Sequence, residues 1–89
     1  MKRVRVVVSG LVQGVFFRAT CASLARERDL VGYVRNLPDG RLEAAFEGQN
    51  DTVDGMVDWC RRGPALARVD HIEVVDEAPV GDARFRVTH

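Results

Sequence analysis

The apolar residues of this chain change period along its length, from two to about 3.6 and back, twice over. That order leaves few ways to fold. Val4, Val6 and Val8 alternate with Arg3, Arg5 and Val7, the period-two pattern of a half-buried strand. Over residues 18–29 the spacing is helical: Phe17, Cys21, Leu24 and Ala25 share one face, with Ser23, Arg26 and Glu27 largely opposite. Residues 31–37 and 41–47 return to strand character around Pro38-Asp39-Gly40. Proline fixes φ there and glycine is free to take φ > 0, so the two segments form a hairpin. Val53, Met56, Val57 and Cys60 mark a second helix, capped by Asn50 or Asp51 and closed by Arg61, Arg62 and Gly63-Pro64. Residues 69–76, with Ile72 and Val74 on one face, read as a fourth strand. Ala78-Pro79-Val80-Gly81 breaks it, and residues 84–88 form a short last strand with Phe85 and Val87 together.

The resulting order is βαββαβ with an added terminal strand. It predicts a ferredoxin-like α+β sandwich, an antiparallel sheet with both helices on one face. No linker, repeat or low-complexity tract interrupts the 89 residues, so residues 1–89 are expected to form one domain. Thirteen basic and thirteen acidic residues cancel, which argues against bulk attraction to nucleic acid or to an acidic membrane. The basic-apolar start is too short for a secretion signal, and no run approaches the roughly 20 apolar residues of a membrane helix. A cytoplasmic protein is expected, and nothing in the residues demands a partner, so a monomer is expected too. Cys21 and Cys60 fit no metal spacing and fall on the apolar stripes of the two helices. They read as buried free thiols, since a disulfide needs the helices to present them face to face.

The chemistry concentrates between the first strand and the first helix, at Gly10-Leu11-Val12-Gln13-Gly14-Val15-Phe16-Phe17-Arg18. A loop from residue 9 to 17 that enters a helix start leaves backbone N–H groups without partners, and the helix dipole is positive there. Arg18 adds a permanent charge and a planar fork of donors matched to phosphate oxygens. The segment reads as a phosphate cradle. The Phe16 side chain either lines the mouth of the site or packs in the core. Asn36 lies near the end of the second strand. A right-handed βαβ unit makes strands one and two run the same way, which brings that end to the start of the first helix. Arg18 and Asn36 are thus expected to converge, and an asparagine amide can hold a water and a ligand oxygen together.

No conventional base accompanies them: neither His71 nor His89 falls in the loop or beside Asn36 in sequence, no Asp/Glu cluster offers a metal site, and the loop lacks a Walker ending. Phosphate chemistry without a cofactor, a metal or a strong acid favours a leaving group that departs unprotonated. A carboxylate, whose conjugate acid has a pKa of about 4, is such a group, and an acyl phosphate is such a substrate.

At these residues the chain resembles the acylphosphatase family, and the resemblance covers essentially all of it. Residues 8–18, with Gly10, Val12-Gln13-Gly14-Val15 and Phe17-Arg18, look like the family's first signature; Gly32-Tyr33-Val34-Arg35-Asn36 followed by Gly40 looks like the second. Trp59-Cys60 and Gly63-Pro64 resemble its second helix. Leu42 departs mildly, where a smaller Val or Ala is usual. The resemblance implies hydrolysis of an acyl phosphate to carboxylate and inorganic phosphate, the latter also an inhibitor. It implies that the Arg18 side chain and the backbone amides of Gln13, Gly14, Val15, Phe16, Phe17 and Arg18 bind the phosphoryl group and that Asn36 positions the attacking water. Two other readings stand beside it. One is a non-catalytic or carbamoyl-phosphate-handling module of a larger protein. The other is an RNA-binding domain on the same scaffold, disfavoured by the zero net charge and the paucity of aromatics on the central strands.

Overall fold

The computed structural model describes residues 1–89. The elements are β1 (Lys2–Leu11), α1 (Phe17–Glu27), β2 (Val31–Asn36), β3 (Leu42–Gly48), α2 (Asn50–Cys60), β4 (Arg68–Glu77) and β5 (Phe85–Thr88). They form one five-stranded sheet of order β4-β1-β3-β2-β5. Val4, Val6 and Val8 on β1, Val34 on β2, Leu42, Ala44 and Phe46 on β3 and Phe85 on β5 face the two helices. These contribute Phe17, Cys21, Ala22 and Ala25 from α1 and Val53, Met56, Val57 and Cys60 from α2. The period-two and period-3.6 stripes of the sequence thus meet in one core. The Cys21 and Cys60 thiols do meet across the helices, free and fully buried. Their mutual hydrogen bond and their burial push the Cys21 thiol well above its usual pKa. No helix is long and apolar enough to cross a membrane.

Three features differ from the sequence reading, each for a physical reason. First, β1 continues through Ser9, Gly10 and Leu11, expected in the loop, because β4 pairs with it that far, across an irregularity between Ser9 and Gly10. Gly10 takes φ 129, and a Cβ there would sit 2.2 Å from the Arg68 carbonyl oxygen. This glycine serves the close approach of β4, not the loop. Second, α2 is capped at Gln49, which makes no side-chain cap, while Asp51 in the first turn complements the dipole. Third, the sheet is mixed: β5 pairs with β2 in parallel, Gly32 opposite Phe85 and Arg35 opposite Thr88. β4 and β2 occupy opposite sides of the β1-β3 pair. A chain that leaves β4 and crosses that pair directly must run back along the sheet in the direction of β2.

The crossing segment, residues 78–84, is fastened to the face of the sheet away from the helices. Glu47 accepts hydrogen bonds from the Val80 and Gly81 N–H groups at 2.8 and 3.0 Å. Arg3 donates to Glu47 at 3.1 Å, to Glu77 at 3.1 Å and to Asp82 at 3.0 Å. Arg3 and Glu47 are both buried, so each charge depends on the others for the hydration it has lost. A second set spreads from Glu43, which accepts from Arg5, Arg35 and the Tyr33 hydroxyl. Burial and the Glu43 charge raise the Tyr33 pKa above that of a free phenol.

The Val80 N–H, foremost, with Arg3 and the Gly81 N–H, holds the Glu47 carboxyl below its usual range, against the opposing pull of burial. A depressed carboxyl stabilises the fold above its unfolded pKa, about 4.3, and that contribution is lost as pH falls through the folded value. Glu47→Gln should lower stability at pH 7 by about 1–2 kcal/mol. It should also flatten the decline in stability below about pH 4. Urea denaturation of both proteins across pH 3–7 measures this; parallel pH curves would contradict it.

Candidate active site

Between β1 and α1 the chain is drawn onto the core at every second or third residue. Val12, Val15 and Phe17 are buried, and Phe17 meets Trp59 of α2 edge to face at 5.1 Å. The residues between them are left at the surface, and their main chain finds no partner. The N–H groups of Gln13, Gly14, Val15 and Phe16 donate to no carbonyl of the chain. The first hydrogen bond entering α1 runs from the Thr20 N–H to the Phe16 oxygen, 3.1 Å, so the N–H groups of Phe17, Arg18 and Ala19 lack helical acceptors. Gly14 takes φ 73. Phe16, the cap of α1, takes φ 66 and ψ 20 and makes no side-chain cap. A left-handed conformation costs a residue with a Cβ about 1–2 kcal/mol. The turn is therefore a row of unpaired donors held open by core packing on one side and backbone strain on the other.

The Gln13 side chain fixes this turn to the β2–β3 hairpin. Its Nε2 donates to the Leu37 oxygen at 2.8 Å and the Arg41 oxygen at 3.0 Å. The sequence reading gave Gln13 only a backbone role. Its amide also ties the loop to the segment that follows Asn36. Across the hairpin, Leu37 N–H bonds the Arg41 oxygen and Gly40 N–H bonds the Leu37 oxygen, as Pro38-Asp39-Gly40 predicted.

Arg18 and Asn36 do converge. Both line one cavity of about 390 Å³ with Val12, Gly14, Phe16, Phe17, Ala19, Val87 and His89. Arg18 has no carboxylate partner; its one side-chain hydrogen bond is to His89 Nδ1, at 3.2 Å from Nη1. Asn36 Oδ1 is buried and accepts no hydrogen bond from the protein. A buried carbonyl of this kind is completed by a donor from outside the chain, such as a water. His89 corrects the sequence reading, which placed neither histidine near the site. His71 does lie elsewhere, exposed on β4. His89 arrives because β5 runs parallel to β2, so that Thr88 stands opposite Arg35 and the next residue reaches Asn36 and Arg18. Guanidinium has only donors, so His89 Nδ1 is the acceptor in that contact and, in the neutral ring, Nε2 carries the proton. No three His, Cys, Asp or Glu side chains gather in a way that could hold a metal ion.

Gln13→Glu, which swaps the bridging donor for an acceptor facing two carbonyls, should cost about 1–2 kcal/mol by chemical denaturation. It should also speed hydrogen exchange of the Leu37 and Gly40 amides. Unchanged exchange there would show that the hairpin does not depend on this tie.

The arrangement has solved and sequenced counterparts. Residues 4–87 match the acylphosphatase family. An acylphosphatase of Methylococcus capsulatus is 54% identical over 82 residues, covering 92% of this chain and 89% of that one. The crystal structure of an acylphosphatase from Bacillus subtilis superposes over 100% of both chains with a TM-score of 0.94 at 33% identity. HypF of T. kodakarensis contains a similar unit, with a TM-score of 0.84 and 36% identity over 99% of this chain and 12% of that one. With its sequence and its overall fold in agreement, the chain belongs to the acylphosphatase family.

Proposed function

We propose that this protein is an acylphosphatase that hydrolyses a carboxyl phosphate without a metal ion. Arg18 and the amides of Gln13, Gly14, Val15, Phe16, Phe17 and Arg18 hold the phosphoryl group, and Asn36 holds the attacking water. One observation carries the reading. A carboxylate-free guanidinium, a row of unpaired N–H groups and an asparagine with an unmatched buried oxygen border the same cavity. Phosphoryl transfer asks mainly for positioning and for stabilisation of charge on the equatorial oxygens, and donors fixed before the substrate arrives supply both. The carboxylate leaves unprotonated, so no general acid is needed.

The water's proton goes to a phosphoryl oxygen of the substrate. His89 is the one competitor for that role in the cavity. While its Nδ1 accepts from Arg18 and its Nε2 bears hydrogen, the neutral ring has no free lone pair to act as base. The other reading is a non-catalytic or carbamoyl-phosphate-handling module of a larger protein; the likeness to a unit that makes up 12% of HypF supports the larger-protein part of it.

Phosphate release from acetyl phosphate in the presence of a chelator tests the proposal. Activity should survive the chelator. It should fall roughly a hundred- to thousandfold in Arg18→Ala and in Asn36→Ala. Arg18→Lys should bind phosphate more weakly than wild type, because charge is kept but the planar fork is lost. A wild type as inert as its variants would favour the module reading. An essential base titrating near neutrality in the pH–rate profile, abolished in His89→Gln, would overturn the substrate-borne proton step.

A further inference from the structure

The contact between Arg18 and His89 holds only while the histidine is neutral. Arg18 Nη1 lies 3.2 Å from His89 Nδ1, and both side chains line the cavity shared with Asn36. A guanidinium is always charged and only donates, so the ring must offer a lone pair. Of the charged and titratable side chains on α1, the loop before it, β2 and β5, only Arg18 and His89 line the cavity. Arg35, beside Thr88 in the sheet, is engaged with Glu43 at 2.8 Å, and Arg86 lies 3.9 Å from Asp82. No Asp or Glu in the cavity offsets a second positive charge there.

An anion reverses this balance. In the empty cavity an imidazolium would stand against the guanidinium with nothing between them. A doubly charged oxyanion held by Arg18 and the loop amides gives both cations an opposite charge, which favours the protonated ring. The proton comes from solvent and bonds to the Nδ1 lone pair that the Arg18 N–H had occupied. The guanidinium turns its donors to the anion, and the new Nδ1–H becomes a further donor toward it. No bond of the anion changes in this step.

We infer that His89 is the second cation of the phosphoryl site, neutral when the cavity is empty and protonated when a phosphoryl dianion binds. This rests on the phosphoryl assignment proposed above and adds a proton-linked partner to it. The sign follows from linkage. The complex holds more protons than the free protein, so affinity for the anion rises as pH falls through the range in which histidines titrate. A histidine acting as a base would give the opposite sign, with rate lost as pH falls.

Sulfate is the probe, because it stays a dianion where phosphate itself titrates. Its affinity is measured by calorimetry at constant ionic strength from about pH 8 to about pH 5.5. Wild type should bind about fivefold more tightly at the acid end. His89→Asn, whose Oδ1 can still accept from Arg18, should match wild type at the alkaline end and lose the rise. His89→Lys should bind tightly across the whole range. His71→Gln, altered at an exposed residue of β4, should behave as wild type. A wild-type affinity that ignores pH, or a rise kept in His89→Asn or lost in His71→Gln, overturns the inference and leaves the phosphoryl site standing. Wild type that binds no sulfate at any pH, or binding undiminished in Arg18→Ala, removes the phosphoryl assignment and the inference with it.

Discussion

Three apolar side chains, Val12, Val15 and Phe17, decide where the turn between β1 and α1 can lie. Each is buried, and the spacing between them leaves the intervening main chain no neighbouring carbonyl within reach. Backbone donors without partners are normally a liability. Here they stand at the positive end of a helix, beside a guanidinium, where an anion would satisfy them. The hydrophobic core thus places the polar site, because its anchors fix the path of the loop between them. Phe17 carries the largest share. It packs on Trp59, and the turn at Gly63 lies so close that a Cβ there would sit 2.6 Å from the Phe17 ring.

The far face of the sheet contributes at a distance. Arg3 and Glu47 form a buried ion pair, extended by the more exposed Glu77 and Asp82, and either buried charge would be costly if left alone. Together with the two main-chain donors at Val80 and Gly81, they hold the crossing segment in one path. That path sets β5 beside β2, in parallel, and so delivers Val87 and His89 to the cavity. An electrostatic arrangement on one side of the sheet thereby positions groups at the edge where the helices begin.

Much of this was legible in the residues, and the remainder was not for definite reasons. Alternating valines and the i, i+3, i+4, i+7 stripes set the elements and the core, because burial of one face is what each pattern means. The meeting of Arg18 and Asn36 followed from the handedness of a βαβ unit. His89 could not be placed, since its position depends on which edge the last strand joins and in which direction. That choice is made by contacts between Glu47 and residues 33 and 34 positions away. The length of β1 was underestimated because Ser9 and Gly10 look like loop residues, and only the approach of β4 reveals why glycine is needed. The Gln13 bridge was hidden for a similar reason: its acceptors are main-chain oxygens that no residue type announces.

The contact between Arg18 and His89 spans 71 residues of chain. Within that span lie β2, β3, β4 and β5, which pair with one another or with β1 to close the sheet. Loops of this length are closed late and at an entropic cost, and topologies rich in them fold slowly. The cavity is therefore complete only when β5 has joined the sheet beside β2. Partly assembled chains, with β1, α1 and the hairpin in place, hold Arg18 and Asn36 but lack one wall. Recovery of ligand affinity during refolding should thus track the last cooperative step rather than the appearance of helix, which makes the site an internal reporter of completed topology.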